Sequence, residues 1–201
     1  MRKNNLLPLL GLKLIFSSTI ILATLDILEL NKFINYVKNP VKYQKIFFSQ
    51  TDNIPALLID LINQEQKSIK AAYYSFTIED IADALIKAHN KGIKVEIIID
   101  SSNLQNKSKA VEKLINNKLP FQVYYCSSKE FKSLMHHKFI IFEEQPDLPD
   151  GGVVTGSFNC SRAAAERHWE NIVVLEGKDA MLQYIQEFDR VSQACQKQPN
   201  N

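Results

Sequence analysis

Between Met135 and Glu170, five polar side chains stand among runs of Val, Ile and Phe: His136, Lys138, Ser157, Asn159 and Glu170. In a strand, residues two apart share a face, so the His136 imidazole and the Lys138 ammonium stand side by side while His137 turns away. Phe139 to Phe142 is apolar at every position, which reads as a central strand with the His/Lys pair at its end. Burying an ammonium is costly without an anionic partner, so this pair points to a bound anion. Gly156-Ser157-Phe158-Asn159 supplies the complement. It offers a glycine for a tight turn, a hydroxyl and an amide donor, and then an Ala-rich segment, Cys160 to Arg167, whose helix N-terminus is an expected anion site. Glu170 has two readings: a carboxylate that bonds the second ring nitrogen of a histidine, fixing its tautomer, or a solvated strand-end side chain. A phosphodiester is the anion that suits this set.

The elements that must position these residues alternate between strand and helix. A short strand is expected at Ile46 to Ser49, then a helix from Asn53 with Pro55 in its first turn and Leu57, Leu58, Leu61 and Ile62 on one face. A strand from Ile69 to Ser75 leads to Thr77, an N-cap candidate, and a helix that stops at Lys91-Gly92. Ile93 to Asp100 reads as a buried strand, Lys107 to Asn117 as a charged helix and Phe121 to Tyr125 as another strand. Further strands are expected at Met135 to Phe142, Val153 to Thr155 and Asn171 to Leu175, and a closing amphipathic helix from Ala180 to about Val191. This order predicts an α/β fold with crossover connections.

The composition, with 45% hydrophobic and 23% charged residues, suits one domain plus an extension. A formal charge of +2, with Lys and Glu mixed throughout, does not by itself argue for nucleic acid. Lys42, Lys45, Lys129 and Lys132 are candidates for neutralising phosphates, or simply solvated side chains. Cys126, Cys160 and Cys195 are far apart with no CxxC pair, so they read as small apolar fillers rather than a metal site.

Residues 1–30 read as a hydrophobic anchor or signal segment: Met1-Arg2-Lys3, then a largely apolar stretch from Leu6 to Leu25 interrupted by Pro8 and Lys13. No small-x-small cleavage site comes after it, which favours an uncleaved anchor; a buried core helix is the alternative. Residues 31–45 read as a linker, 46–193 as the catalytic domain and 194–201 as a polar tail. The expected location is membrane-anchored or exported, either periplasmic or secreted.

His136-x-Lys138, an acidic residue five positions on, and Gly156-Ser157-x-Asn159 resemble the signature of the phospholipase D superfamily in its single-motif form. Glu170-Asn171 before Ile172 to Leu175 is similar to the segment after GSxN in the small bacterial nucleases of that family. The likeness runs from about Phe47 to Phe188 and includes Tyr74 to Thr77 and Lys91 to Asp100. Two departures are visible: Glu143 stands where the family has Asp, and the linker to Gly156 is longer, with Pro146, Pro149 and Gly151-Gly152 in it. That linker is expected at the rim of the site.

The resemblance implies a mixed, mostly parallel sheet flanked by helices in a single catalytic domain. It also implies phosphodiester cleavage with no metal and no cofactor, one histidine attacking phosphorus and another protonating the leaving oxygen. Lys138 and Asn159 would hold the non-bridging oxygens, Ser157 and Gly156 would help orient the substrate, and Glu143 would support. The chain carries one motif, so the second catalytic His136 is expected from another copy, in a homodimer with a shared site. Two substrates stay open, a nucleic acid or a membrane phospholipid, with a non-catalytic phosphate-binding module as the third reading.

Overall fold

The computed structural model describes residues 42–125 and 133–197. The hydrophobic segment, most of the linker, Cys126, Lys129 and Lys132 lie outside these. Strand β1 (Lys42–Phe48) begins four residues before its expected start and leads to helix α1 (Ile54–Gln64). Asn53 caps α1 by accepting from the Ala56 amide at 3.1 Å, and Ile54, Leu58, Leu61 and Ile62 form its buried stripe. Strand β2 (Ser68–Tyr73) is followed by α2 (Glu79–Asn90). The N-cap of α2 is Ile78 without a side-chain bond, so Thr77 does not take the capping place expected of it. Its end is as expected, with Lys91 as C-cap and Gly92 at φ +90°.

Strand β3 (Lys94–Asp100) runs into a short helix, α3 (Ser102–Gln105), that periodicity did not announce because four residues are about one turn. Helix α4 (Lys109–Asn116) and strand β4 (Phe121–Tyr124) come next. Then come β5 (Lys138–Phe142), β6 (Gly152–Gly156), the five-residue helix α5 (Arg162–Glu166), β7 (Asn171–Glu176), α6 (Lys178–Ala194) and a two-residue strand β8 (Gln196–Lys197).

The strands form one sheet in the order β1-β7-β6-β5-β2-β3-β4-β8. It is mixed, as expected, but parallel pairing is confined to β2–β3 and β3–β4 among the described strands. The remaining neighbours are antiparallel, because β5 and β6 form a hairpin and β7 returns after one short helix. The larger core lies under α1, α2 and α4, where Ile140, Val154, Ile172 and Val174 meet Leu58, Leu85 and Leu114. Among the described residues the opposite face is covered mainly by α6, through Met181 and Phe188 against Ala72, Ile98, Phe139, Ile141 and Val153. Among the described residues no helix is long and apolar enough to cross a membrane.

The long loop between β5 and β6 is not at the rim of the site. Phe142 pairs with Gly152 at one end of the hairpin and Phe139 with Thr155 toward the other, so residues 143–151 close the end of the sheet away from Lys138. A strand rises about 3.3 Å per residue, which puts Glu143 about 16 Å along β5 from Lys138. The loop is fastened there: Leu148 is fully buried, the Gln66 amide donates to the Glu144 carbonyl, and the buried Glu65 Oε1 accepts from the amides of Lys67, Ser68 and Glu144.

Candidate active site

Chain direction gathers the site. The ends of β2, β3 and β6 and the starts of β5 and β7 lie at the same edge of the sheet, because each antiparallel neighbour reverses direction. His136 stands just before β5 and is exposed, while Lys138 opens the strand and is half-buried. The Lys138 Nζ lies 3.2 Å from His136 Nδ1 and donates to the His136 carbonyl at 2.8 Å. Its proton affinity falls below the usual Lys range, first through burial, against which the nearby Glu170 carboxylate acts to hold the proton. His137 turns to the other face, as its odd position requires, and pairs with Glu187 of α6 at 3.0 Å.

The Gly156–Asn159 turn is built by two sets of contacts. Ser157 clasps β7: its amide donates to the Asn171 carbonyl at 3.0 Å, its Oγ accepts from the Asn171 amide at 3.1 Å and lies 3.2 Å from Asn171 Oδ1. Gly156 sits at φ +156°, and a Cβ there would overlap the Asn171 carbonyl oxygen, so the position tolerates no side chain. Substituting Gly156 with Ala is therefore expected to destabilise the protein by about 1–3 kcal/mol, read as a lower urea midpoint. Asn159 reaches the opposite way: its Oδ1 accepts from the Ser75 amide at 3.2 Å, which leaves the Nδ2 hydrogens as the donors it can offer. Helix α5 starts only at Arg162, and its first turn is capped by Ser161 accepting from the Ala164 amide at 3.3 Å. The helix N-terminal anion site expected directly after Asn159 is therefore absent from that place, and the turn itself carries the donors.

Glu170 is mostly buried, with 13% of its side chain exposed. Its near ionic neighbour is His168 Nδ1 at 3.7 Å, not the His136 ring. The segment is held by β1, where the Ser49 amide donates to the Glu170 carbonyl at 3.0 Å and Ser49 Oγ accepts from the Glu170 amide at 2.9 Å. Glu143, at the far end of β5, forms an ion pair with Lys67 and accepts from Ser68 Oγ at 2.6 Å, contacts that hold its carboxyl below the usual range. These contacts support the β2–β5 pairing from outside the site. Cys160 is buried with its thiol pushed well above the ordinary range, and Cys195 is pushed up to about 11 by burial. Neither is presented as a thiolate.

Tyr74 is the neighbour that residue typing missed. Its ring centroid lies 4.5 Å from that of His136 and 5.5 Å from the Lys138 Nζ, forming a wall for both. Its signal lay in the Tyr74–Thr77 stretch, which pairs with the turn through the Phe76–Cys160 bridge and the Thr77 amide on the Cys160 carbonyl at 2.7 Å. Among the described residues no group of three or more His, Cys, Asp or Glu side chains converges as a metal site.

Comparison with known proteins agrees with this geometry. Residues 58–192 match the family model "Cardiolipin synthase, PLD-like domain". The chain is 30% identical over 127 residues to a phospholipase D of Rickettsia conorii, covering 63% of this chain and 58% of that one. It is 26% identical over 152 residues to a mitochondrial cardiolipin hydrolase of Chlamydomonas reinhardtii, covering 75% and 62%. It thus spans less than two thirds of the length of these relatives. Among solved structures, NucT from Helicobacter pylori superposes with a TM-score of 0.65 at 27% identity, covering 78% of this chain and all of that one. Nuc from Salmonella typhimurium, described as a phospholipase D family member, shares the fold with a TM-score of 0.66 at 23% identity, covering 79% and 100%. With the His-x-Lys pair, the Gly-Ser-x-Asn turn and the sheet that joins them all in place, the chain belongs to the phospholipase D superfamily.

Proposed function

We propose that the protein is a metal-independent hydrolase of phosphoric diesters that works through a phosphohistidine on His136, and that its substrate is a nucleic acid backbone. The observation that carries the reading is the exposed His136 imidazole with the half-buried Lys138 ammonium 3.2 Å away, at the sheet edge where Asn159 is oriented. In the first step a neutral His136 nitrogen bonds to phosphorus and the P–O bond to the leaving group breaks, its oxygen taking a proton from a second, protonated imidazole. In the second step water attacks the phosphohistidine, the second imidazole takes the water's proton, and the N–P bond breaks. Lys138 and Asn159 hold the non-bridging oxygens throughout.

The second imidazole belongs to His136 of another copy. Within the described chain, His137 is paired with Glu187, His89 sits near the end of α2, and His168 has no matching Lys and Asn. Large apolar side chains flank the site and supply a surface for a second copy: Leu134 is 53% exposed, Phe48 53% and Trp169 86%. Because the reaction needs one imidazole neutral and the other protonated, the pH–rate profile is expected to be bell-shaped.

The open setting of His136 and Ser157 suits a polymer strand laid across the sheet edge. A second reading, hydrolysis of a membrane phospholipid by an anchored domain, is favoured by the apolar Leu6–Leu25 stretch and by the names of the phospholipase D and cardiolipin hydrolase relatives. The full-length protein should be assayed in EDTA on single-stranded DNA, RNA and phospholipid vesicles, with light scattering alongside. Nucleic acid cleavage that weakens steeply with salt, by a dimer, is expected. Headgroup release without nucleic acid cleavage would establish the second reading, loss of all activity in EDTA would overturn the mechanism, and an active monomer would overturn the shared site.

A further inference from the structure

Two buried polar residues outside the family signature bond the backbone of the segments behind His136 and Tyr74. Asp100, at the end of β3, and Asn103, in α3, are each only 3% exposed, and all their side-chain oxygens and the Asn103 amide nitrogen are engaged. Asp100 Oδ1 accepts from the Ser102 amide at 2.9 Å, and its Oδ2 accepts from the Met135 amide at 3.1 Å, one residue before His136. Asn103 Oδ1 accepts from the Phe76 amide at 2.8 Å, and its Nδ2 donates to the Tyr74 carbonyl at 2.7 Å and the Asp100 carbonyl at 2.9 Å. Ser108 adds a bond from its hydroxyl to the Phe76 carbonyl at 2.5 Å.

These bonds converge on the reacting groups. Asn103 grips residues 74 and 76, so the amide of Ser75 between them is aimed, and that amide orients Asn159. The same grip sets the Tyr74 ring against His136. The exposed His136 has no strand ladder of its own, because β5 starts two residues later. The Asp100–Met135 bond ties the backbone just before His136 to the sheet, and further upstream the Tyr124 hydroxyl lies 3.0 Å from Ser133 Oγ.

We propose that Asp100 and Asn103 are positioning residues for catalysis: Asp100 places the His136 nucleophile through the Met135 amide, and Asn103 places Tyr74 and, through Ser75, Asn159. The inference rests on His136 being the nucleophile. A carboxylate suits the Asp100 place because two amides point at it, and an amide side chain would present one oxygen and one donor to them.

The test uses the full chain with bis(p-nitrophenyl) phosphate in EDTA, thermal unfolding, and NMR titration of the His136 imidazole. Asp100→Asn is expected to lower kcat about ten- to hundredfold with KM nearly unchanged, and to shift the His136 resonances and their pH midpoint. Asn103→Ser is expected to lower kcat and raise KM together, because it loosens an oxygen-holding group. The two variants alter different bonds, so either one that folds carries the test. A folded variant with wild-type kcat and wild-type His136 titration would overturn the proposal, as would a loss of kcat that vanishes once assays are made well below its unfolding temperature. If the wild-type protein cleaves nothing while its His136 resonances still change in Asp100→Asn, the hydrolase reading and the catalytic role fail together, and only the placement of His136 by Asp100 stands.

Discussion

Alanine at His136 is expected to lower kcat by at least about 10⁴-fold while leaving the fold intact. The side chain is exposed and, among the described residues, lies against the Tyr74 ring and the Lys138 ammonium, so its removal opens no buried cavity. The loss should be in kcat rather than KM, because Lys138 and Asn159 still hold the phosphate. Mixing makes the experiment sharper. If each site needs His136 from two copies, equal amounts of wild-type and mutant chains, allowed to exchange, should retain about a quarter of the activity rather than half, since only one pairing in four is wild type on both sides. Half the activity would mean that each chain works alone.

Methionine at Lys138 is expected to cost about 10²–10³ in kcat, the usual loss on removing a donor aimed at transition-state charge. The ammonium is half-buried and its proton affinity is lowered by that burial, with Glu170 opposing. The lowered affinity shapes the pH dependence of both activity and folding. Past the fall set by the imidazole pair, a second alkaline limb is expected below the ordinary Lys range of about 10.4, as the ammonium deprotonates. Glu170→Gln should move that limb to still lower pH, because it removes the charge that helps retain the proton. Folding has the opposite sign. The folded-state pKa lies below the unfolded one, so the unfolded chain binds more protons in the window between them and stability rises with pH there. Below that window the buried charge is a cost to folding, and Lys138→Met is expected to unfold at an equal or higher Tm. A clear drop in Tm would show that the Lys138 bond to the His136 carbonyl matters more than the burial.

The candidate site residues were legible in the sequence because side-chain type and local spacing are sequence properties. His-x-Lys at an apolar strand, Gly-Ser-x-Asn after the next one and Glu170 before the last are each short-range patterns. The strands and longer helices were legible for the same reason, since runs such as Val95 to Ile99 and the α1 stripe carry their own periods. What periodicity could not supply was direction. Whether β5 lies parallel or antiparallel to β2 depends on which strand becomes its neighbour, and that choice moved the long acidic loop from the expected rim to the far end of the sheet. It also gave Glu143 the partners Lys67 and Ser68, from a turn 75 residues away, which no local pattern encodes.

Tertiary structure alone decided how the candidate site residues are held. Ser157 clasps Asn171, Ser49 holds the Glu170 backbone, and Asp100 and Asn103 brace His136 and Asn159, all across long stretches of chain. In the sequence Asn103 is one polar residue in a polar loop, and Asp100 is the end of a hydrophobic strand. Their meaning comes from burial, where an amide or carboxylate must find partners, and in this fold the partners are the backbone of the site. The sequence named the candidate groups; the sheet edge decided where each stands and what keeps it there.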